Sequence, residues 1–349
     1  MERLTDFFNL IKRYLGSLYY PATEWYFILT CLILACISYA CYTKGPGYPS
    51  VRKLVSYLFP KSIYTHRSTR QDVFYIMSFP LIAGLIFKPA LAFGTAAVTY
   101  QVVFGALELA GGSPTPYQPA SPAMILMLTI AFTLLSAMAA DLMFYFHHLL
   151  LHKIPFLWEF HKVHHSAEVP TPLTDYRAHP LEILTYGTAK GLGLGTVQGL
   201  FNYATGNHIS VYTILGINAL MFGYYAMGYA LRHSHIWISY GPVLNHVFIS
   251  PAQHQIHHSV DKIHWDKNFG GLFAIWDWAF GTLYVPKARE ELTFGLKEED
   301  QKKFVGVARL YVQPFINNAT SPMGILTVTL LILFFLAFAA RQIVWFFAA

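Results

Sequence analysis

The sequence predicts an all-α, polytopic membrane protein with a histidine-rich helical metal-binding cap on its cytoplasmic side. Three observations predict it. Charged residues make up 12% of the 349-residue chain, about half of the ~25% usual in a soluble domain. Apolar runs long enough to span a bilayer recur along it, and the mean hydropathy is +0.40. Fifteen of its 16 histidines fall between His147 and His264, in short, repeated clusters. The 17% of aromatic residues excludes a disordered chain, because disordered segments are polar and poor in aromatics.

A spanning helix needs about 20 mostly apolar residues. The N-terminus, Met1–Tyr20, mixes charges with aromatics and lacks the apolar core and small-residue site of a cleaved signal peptide. The first span is expected over Glu24–Tyr42. It holds all three cysteines, Cys31, Cys36 and Cys41, none in a CxxC pair. Neither a disulfide framework nor a zinc ribbon is therefore indicated. The loop Thr43–Asp72 carries Lys44, Arg52, Lys53, Lys61, Arg67 and Arg70, which places it in the cytoplasm. The net charge of +6 is read the same way, as a marker of cytoplasmic loops; a nucleic-acid partner is not expected.

Val73 to about Leu109 is apolar but interrupted at Lys88-Pro89. It reads as one kinked span or as a span plus a half-helix. The loop Gly111–Pro122 leads to a span over about Ala123–Phe146. A polar, histidine-rich stretch, His147–Pro180, follows. Leu181–Tyr203 and Ile209–Ala230 then read as a transmembrane hairpin about a turn at Ala204–His208, returning the chain to the same side for a second histidine-rich stretch, Arg232–Pro286. Gly191, Gly195 and Gly199 form a small-xxx-small series suited to close helix packing. An amphipathic segment, Lys287–Arg309, and a last span, about Gly324–Phe347, complete three regions: 1–122, a catalytic region 123–286, and 287–349. If Val73–Leu109 crosses once, both histidine regions lie on the cytoplasmic side.

The histidines form four clusters: His147, His148 and His152; His161, His164 and His165; His233 and His235; and His254, His257 and His258. The second and fourth share the spacing HxxHH. Neutral imidazole is the commonest metal ligand and suits iron, zinc and copper. On a helix, positions i, i+3 and i+4 share a face, so each HxxHH box turns two or three rings to one side. Eight or more candidate ligands exceed what one ion takes and point to two. In the first box, His148 and His152 share an ideal helix face; a single π-type turn would bring His147 and His152 together instead. His179 stands evenly between a ligand and a residue supporting one. His66, His208, His246 and His264 are isolated and read as hydrogen-bonded or snorkelling polar residues. No thiolate and no ExxH carboxylate box is available. An all-histidine pair of ions beside a membrane fits iron that activates oxygen for attack on an apolar C–H bond. Zinc has no redox chemistry of its own.

At these boxes the chain resembles the fatty acid hydroxylase/sterol desaturase superfamily. The matching text runs from Asp141 through His147-His148 to His152, then Leu157-Trp-Glu-Phe-His161-Lys-Val-His164-His165, Arg177-Ala-His179-Pro-Leu-Glu182 and His233-Ser234. It continues over Asn245 to Ser259 with His254, His257 and His258, and ends at Asn268-Phe-Gly-Gly and Trp276-Asp277-Trp-Ala-Phe-Gly-Thr282. The resemblance covers about Asp141–Val285. It implies a membrane-bound, O2-dependent, non-haem oxidoreductase with two Fe2+ ions that hydroxylates or desaturates a lipid such as a sterol or fatty acyl chain. It implies His147 or His148, then His152, His161, His164, His165, His233, His254, His257 and His258 as metal ligands, with His179 less firmly placed. Members with this first box usually carry Arg after its first histidine, a position held here by His148, which favours His147 as the ligand. Many relatives read His-Ser-Asn where this chain has His233-Ser-His235.

The resemblance also implies electrons drawn ultimately from NAD(P)H through a separate donor: a cytochrome b5-like protein, a ferredoxin or a reductase. It implies a bacterial inner membrane or the endoplasmic reticulum. Neutral ligands leave such a site strongly cationic, so nearby acids matter. Asp141, Glu182 and Asp277 are the candidates, with hydrogen bonding to the outer nitrogen of a ligand histidine as the expected role. Two other classes compete. A bis-histidine haem electron carrier would place paired histidines inside spans, and a metal transporter would hold ligands at mid-bilayer depth.

Overall fold

The computed structural model describes residues 24–42, 50–86, 90–110, 112, 121–206, 211–214 and 217–320, with the isolated positions 322, 324–326 and 329. Their regular secondary structure is helical apart from a short antiparallel strand pair, in which Thr213 pairs with Asn218 and Ile214 with Ile217, and two isolated bridges; loops join the helices of the cap. The expected first span is helix α1, Trp25–Tyr42, followed by a short amphipathic helix α2, Val51–Leu58, capped by Ser50. Two helices, α3 (Arg67–Ile86) and α4 (Ala90–Leu109), flank the expected interruption. Residues 87–89 lie outside the described set, as does nearly all of the span expected over 324–347.

Helix α5, Pro122–Lys153, is the axis of the fold. Ser121 caps it through Met124 N, and Pro122 occupies its first turn, where the missing N–H costs nothing. It ends because Pro155 follows: a residue before proline is driven out of the helical region, and Ile154 sits at φ −97°, ψ 114°. Helix α6, Pro155–His165, then starts on that proline and folds back beside the end of α5. That break turns the second histidine box towards the first.

Helix α7, Pro180–Thr205, returns along α4 and α5, and Gly206 closes it in the left-handed conformation. Two members of the small-residue series, Gly195 and Gly199, pack on α4: a side chain at Gly195 would press on the Ala96 carbonyl, and one at Gly199 would come within 3.0 Å of the Val103 side chain. Gly193, outside the series, faces α5, where a side chain would come within 2.8 Å of the Ala139 carbonyl.

The second arm of the expected transmembrane hairpin differs. Over 209–230 the only α-helix among the described residues is α8, Ala219–Ala226. Eight residues rise about 12 Å, well short of the ~30 Å hydrocarbon core. The strand pair Thr213–Ile214 and Ile217–Asn218 before α8 takes up part of the segment, and Gly228, at φ 93°, follows the end of the helix. Hydropathy alone carried neither signal.

Helix α9, Pro251–His257, holds the last box and opens with a reciprocal Ser250–Gln253 capping box. Helix α10, Val307–Ala319, lies against α6: Asn317 donates to Glu159 and Asn318 to the Phe156 carbonyl. The amphipathic segment before it is latched to the same helix, with Lys162 between Glu159 (2.7 Å) and Asp300 (2.9 Å). Among the described helices, α1 and α5 are long and apolar enough to cross a membrane. Both expose large apolar side chains along their length, as a membrane protein does.

Candidate metal centre

Nine histidines converge in two groups. His148, His152, His161, His165 and His257 form one; His164, His233, His254 and His258 form the other. Within each group, one nitrogen from every ring lies within 4.8 Å of all the others. The helix breaks decide this meeting. α5 contributes His148 and His152, α6 contributes His161, His164 and His165, the 3-10 turn Tyr229–His233 contributes its last residue, and α9 contributes His254 and His257, with His258 at its end. The two HxxHH boxes each divide between the groups. His161 and His165 face one and His164 the other; His257 faces the first, while His254 and His258 face the second.

The outer nitrogens are held from behind. His148 Nδ1 meets the Phe269 carbonyl at 2.8 Å, His257 Nδ1 the Lys267 carbonyl at 2.8 Å, and His164 Nδ1 the Arg177 carbonyl at 3.3 Å. A carbonyl oxygen only accepts, so each Nδ1 carries its proton and each Nε2 presents a lone pair. Carboxylates face two more: Glu182 Oε1 lies 3.0 Å from His161 Nδ1, and Asp175 Oδ1 lies 3.2 Å from His233 Nδ1.

The inner nitrogens therefore face one another with lone pairs. His148 Nε2 is 3.1 Å from His161 Nε2. His233 Nε2 is 3.2 Å from His164 Nε2, 3.1 Å from His258 Nε2 and 2.9 Å from His254 Nε2. Nε2 of His152, His165 and His257 is buried without a partner. Burial holds the His164, His165, His254 and His258 imidazoles well below their ordinary pKa, and His257 at about 3. His233 is lowered less, because Asp175 opposes the burial.

Buried neutral rings with lone pairs pointing inward repel unless a cation sits among them. Nitrogens at ~2.1 Å from an ion and at right angles to one another stand about 3 Å apart, which is the spacing found. The donor set fits two metal ions, and the carbonyl or carboxylate behind each ring is the support that metal-bound histidines ordinarily have.

The remaining expected site residues lie elsewhere. His148, and not its neighbour, enters the first group; His147 Nε2 meets the Thr185 hydroxyl at 2.9 Å. His179 caps α7 through Leu181 N and meets the Tyr311 carbonyl at 3.1 Å. His235 meets the Tyr57 carbonyl at 2.6 Å. Of the three acids, Glu182 alone touches a histidine ring. Asp141 accepts from Leu272 N and Phe273 N. Asp277 accepts from Phe269 N, Gly270 N and the Thr282 hydroxyl; burial raises its carboxyl to about 6 against those bonds. It reaches His148 only through the Phe269 peptide.

Asp175 is the acid that sequence reasoning passed over. It sits in a 3-10 turn, Pro172–Tyr176, whose residues carry no helical periodicity, so nothing local points it at His233. A buried ion pair of Asp72 with Arg177 was likewise invisible, its partners 105 positions apart. Arg177 also donates to Ser166 and Ser68, tying α3 to the end of α6.

Residues 133–282 match the family model described as fatty acid hydroxylase. An alkylglycerol monooxygenase of Caenorhabditis elegans is 28% identical over 159 residues, 45% of this chain and 28% of the relative. An ornithine lipid hydroxylase of Rhizobium tropici is 28% identical over 181 residues, 52% of this chain and 49% of the relative. A very-long-chain aldehyde decarbonylase of Oryza sativa subsp. indica is 31% identical over 160 residues, 43% of this chain and 23% of the relative. The chain thus spans half or less of the length of these curated relatives. No solved structure matches it. The matched region is the one that carries both histidine groups, and over it this chain is similar to the fatty acid hydroxylase family.

Proposed function

We propose that the protein is a multi-pass membrane oxygenase with its active site on the cytoplasmic side, using two iron ions and O2 to hydroxylate or desaturate an apolar C–H position of a lipid. The observation that carries this reading is the pair of inward-facing Nε2 clusters, five rings and four, each backed by proton acceptors. Family resemblance to lipid-acting oxygenases supports the substrate class.

In this reading His148, His152, His161, His165 and His257 hold one ion, and His164, His233, His254 and His258 the other. The metal pair supplies oxygen reduction and the oxidising power to break an unactivated C–H bond. For hydroxylation the balance is R–H + O2 + 2 e− + 2 H+ → R–OH + H2O. A separate donor, a cytochrome b5-like protein, ferredoxin or reductase fed ultimately by NAD(P)H, provides the electrons. The chain's own residues set the geometry. Carbonyls of Phe269, Lys267 and Arg177 keep the outer protons of three rings in place, so their lone pairs stay aimed inward. Glu182 and Asp175 each place one negative charge behind a ring and offset part of the metal charge. Convergence of four or five nitrogens on one point suits a bare ion; a haem would need its two histidines on opposite faces of a wide, flat ring.

The test is metal content and product chemistry of the full chain purified after iron supplementation. The expected result is about two irons per chain, as for a site with two ligand sets, no haem absorbance, and 18O from O2 in a membrane lipid. Haem, or a chain that stays metal-free after iron loading, would sink the proposal.

A further inference from the structure

Two turns of the cap carry no exposed ionisable group except a half-buried imidazole. The segment Gly241–Phe248 contains only His246, whose Nδ1 meets the Pro242 carbonyl at 2.6 Å. The segment Ile275–Leu283 contains only Asp277, which is fully buried. Large apolar side chains nevertheless point outward from both: Val243 is 74% exposed, Trp278 65%, Phe280 52%, with Leu244 and Val247 beside them. The segments are joined. His246 packs edge-on to Trp278 at 5.5 Å, and Ala274 N donates to the Val247 carbonyl. A soluble surface seldom leaves such a patch bare.

Its position relative to α5 selects the occupant. Phe280 stacks on Tyr145 at 5.3 Å and packs on Phe146 at 5.2 Å. Leu150, on the same helix face four residues on, is itself exposed. The patch therefore continues the apolar surface of α5 at its C-terminal end. The 32 residues of α5 rise about 48 Å, beyond the ~30 Å hydrocarbon core, so its last turns reach the level of the headgroups. Tryptophan is the residue that favours that level.

We infer that the face formed by Val243, Leu244, Val247, Trp278 and Phe280 is seated in the lipid interface beside the end of α5, its occupant being the headgroup and upper acyl region of the bilayer. The five-residue helix Ile275–Ala279 then faces both ways. Trp278 enters lipid, while Asp277 binds Phe269 N and Gly270 N, and the Phe269 carbonyl receives His148 Nδ1. The lipid-seated surface lies one side chain and one peptide from a proposed metal ligand.

This inference rests on reading α1 and α5 as membrane spans, and its test separates the two. The full chain is reconstituted in phosphatidylcholine vesicles and in the same lipid brominated on its acyl chains. Emission is compared for the natural protein and for Trp278→Phe and Trp25→Phe; Trp25 opens the first span. The expected result is that the emission lost in Trp278→Phe is at least halved by brominated lipid and untouched by aqueous iodide. A second reporter, Val243→Trp in the Trp278→Phe background, is expected to behave the same way, which guards against a local rearrangement at one position. Quenching of Trp25 by brominated lipid with quenching of Trp278 by iodide overturns the inference and leaves this face open to a soluble protein. If brominated lipid quenches neither, the membrane reading falls with it.

Discussion

His164 Nε2 and His233 Nε2 stand 3.2 Å apart in the buried centre of the four-histidine group, each ring backed by an oxygen on its outer side. Neither nitrogen has a proton to give the other, so the contact is repulsive until a cation enters. The same frustration runs through both groups, and metal binding is expected to raise stability by linkage, since the unfolded chain lacks the preformed site.

The acid response follows. Burial lowers the pKa of these rings, His257 to about 3, from an unfolded value near 6.5. Between those values the unfolded chain binds protons that the folded chain refuses. The stability is therefore intact above about pH 6.5 and falls as the pH drops towards 3, by up to about 1.4 kcal/mol per pH unit for each such ring. Thermal unfolding of the metal-free protein in detergent, measured from pH 7.5 to 4.5, is expected to show a steep fall below pH 6.5. A flat profile would mean that the rings are not buried as neutral groups.

Glu182 and Asp175 divide between the two groups, one behind His161 and one behind His233. Glu182→Gln is expected to weaken metal held by the five-histidine group and Asp175→Asn metal held by the four-histidine group, each by roughly 10–100-fold. Chelator challenge followed by metal analysis reads this directly. Each variant should release about one ion fast and retain the other. Simultaneous loss of both ions in either variant would count against two separate sites.

The Asp72–Arg177 pair is almost wholly buried, and Thr174, Ser68 and Ser166 complete its hydrogen bonds. Removing one partner leaves a buried charge without its counter-ion, at a cost of about 3–5 kcal/mol. Asp72→Ala is expected to unfold at markedly lower temperature. Its His164 ring should also lose its fixed orientation, because the Arg177 carbonyl holds that ring. An unchanged melting temperature would show that the pair is not buried.

Close packing of α7 on α4 and α5 depends on bare glycines. A valine at Gly193 would press on the Ala139 carbonyl and the Met143 side chain. Overpacking of this kind costs about 1–3 kcal/mol. Gly195→Val is expected to be the worse of the two, since its neighbour on α4 is backbone at closer range. Melting temperatures of the two variants in one detergent test the order.

Sequence alone determined the class of protein, the long apolar helices α1 and α5, and the histidine boxes, because hydropathy and ligand spacing are properties of short windows. It also marked the glycine face of α7. What it could not supply was the division of each HxxHH box between two groups, which depends on how α5, α6 and α9 meet around two proline starts. Nor could it choose His148 over His147, a choice made by the rotation of α5 against the Phe269 loop. Asp175 and Asp72 became visible only in the folded chain, since their partners lie far along the sequence or in a 3-10 turn. The expected second hairpin arm differs for a related reason: hydropathy measures how apolar a segment is, while Gly228 and a two-residue strand pair bound an α-helix of eight residues among those described.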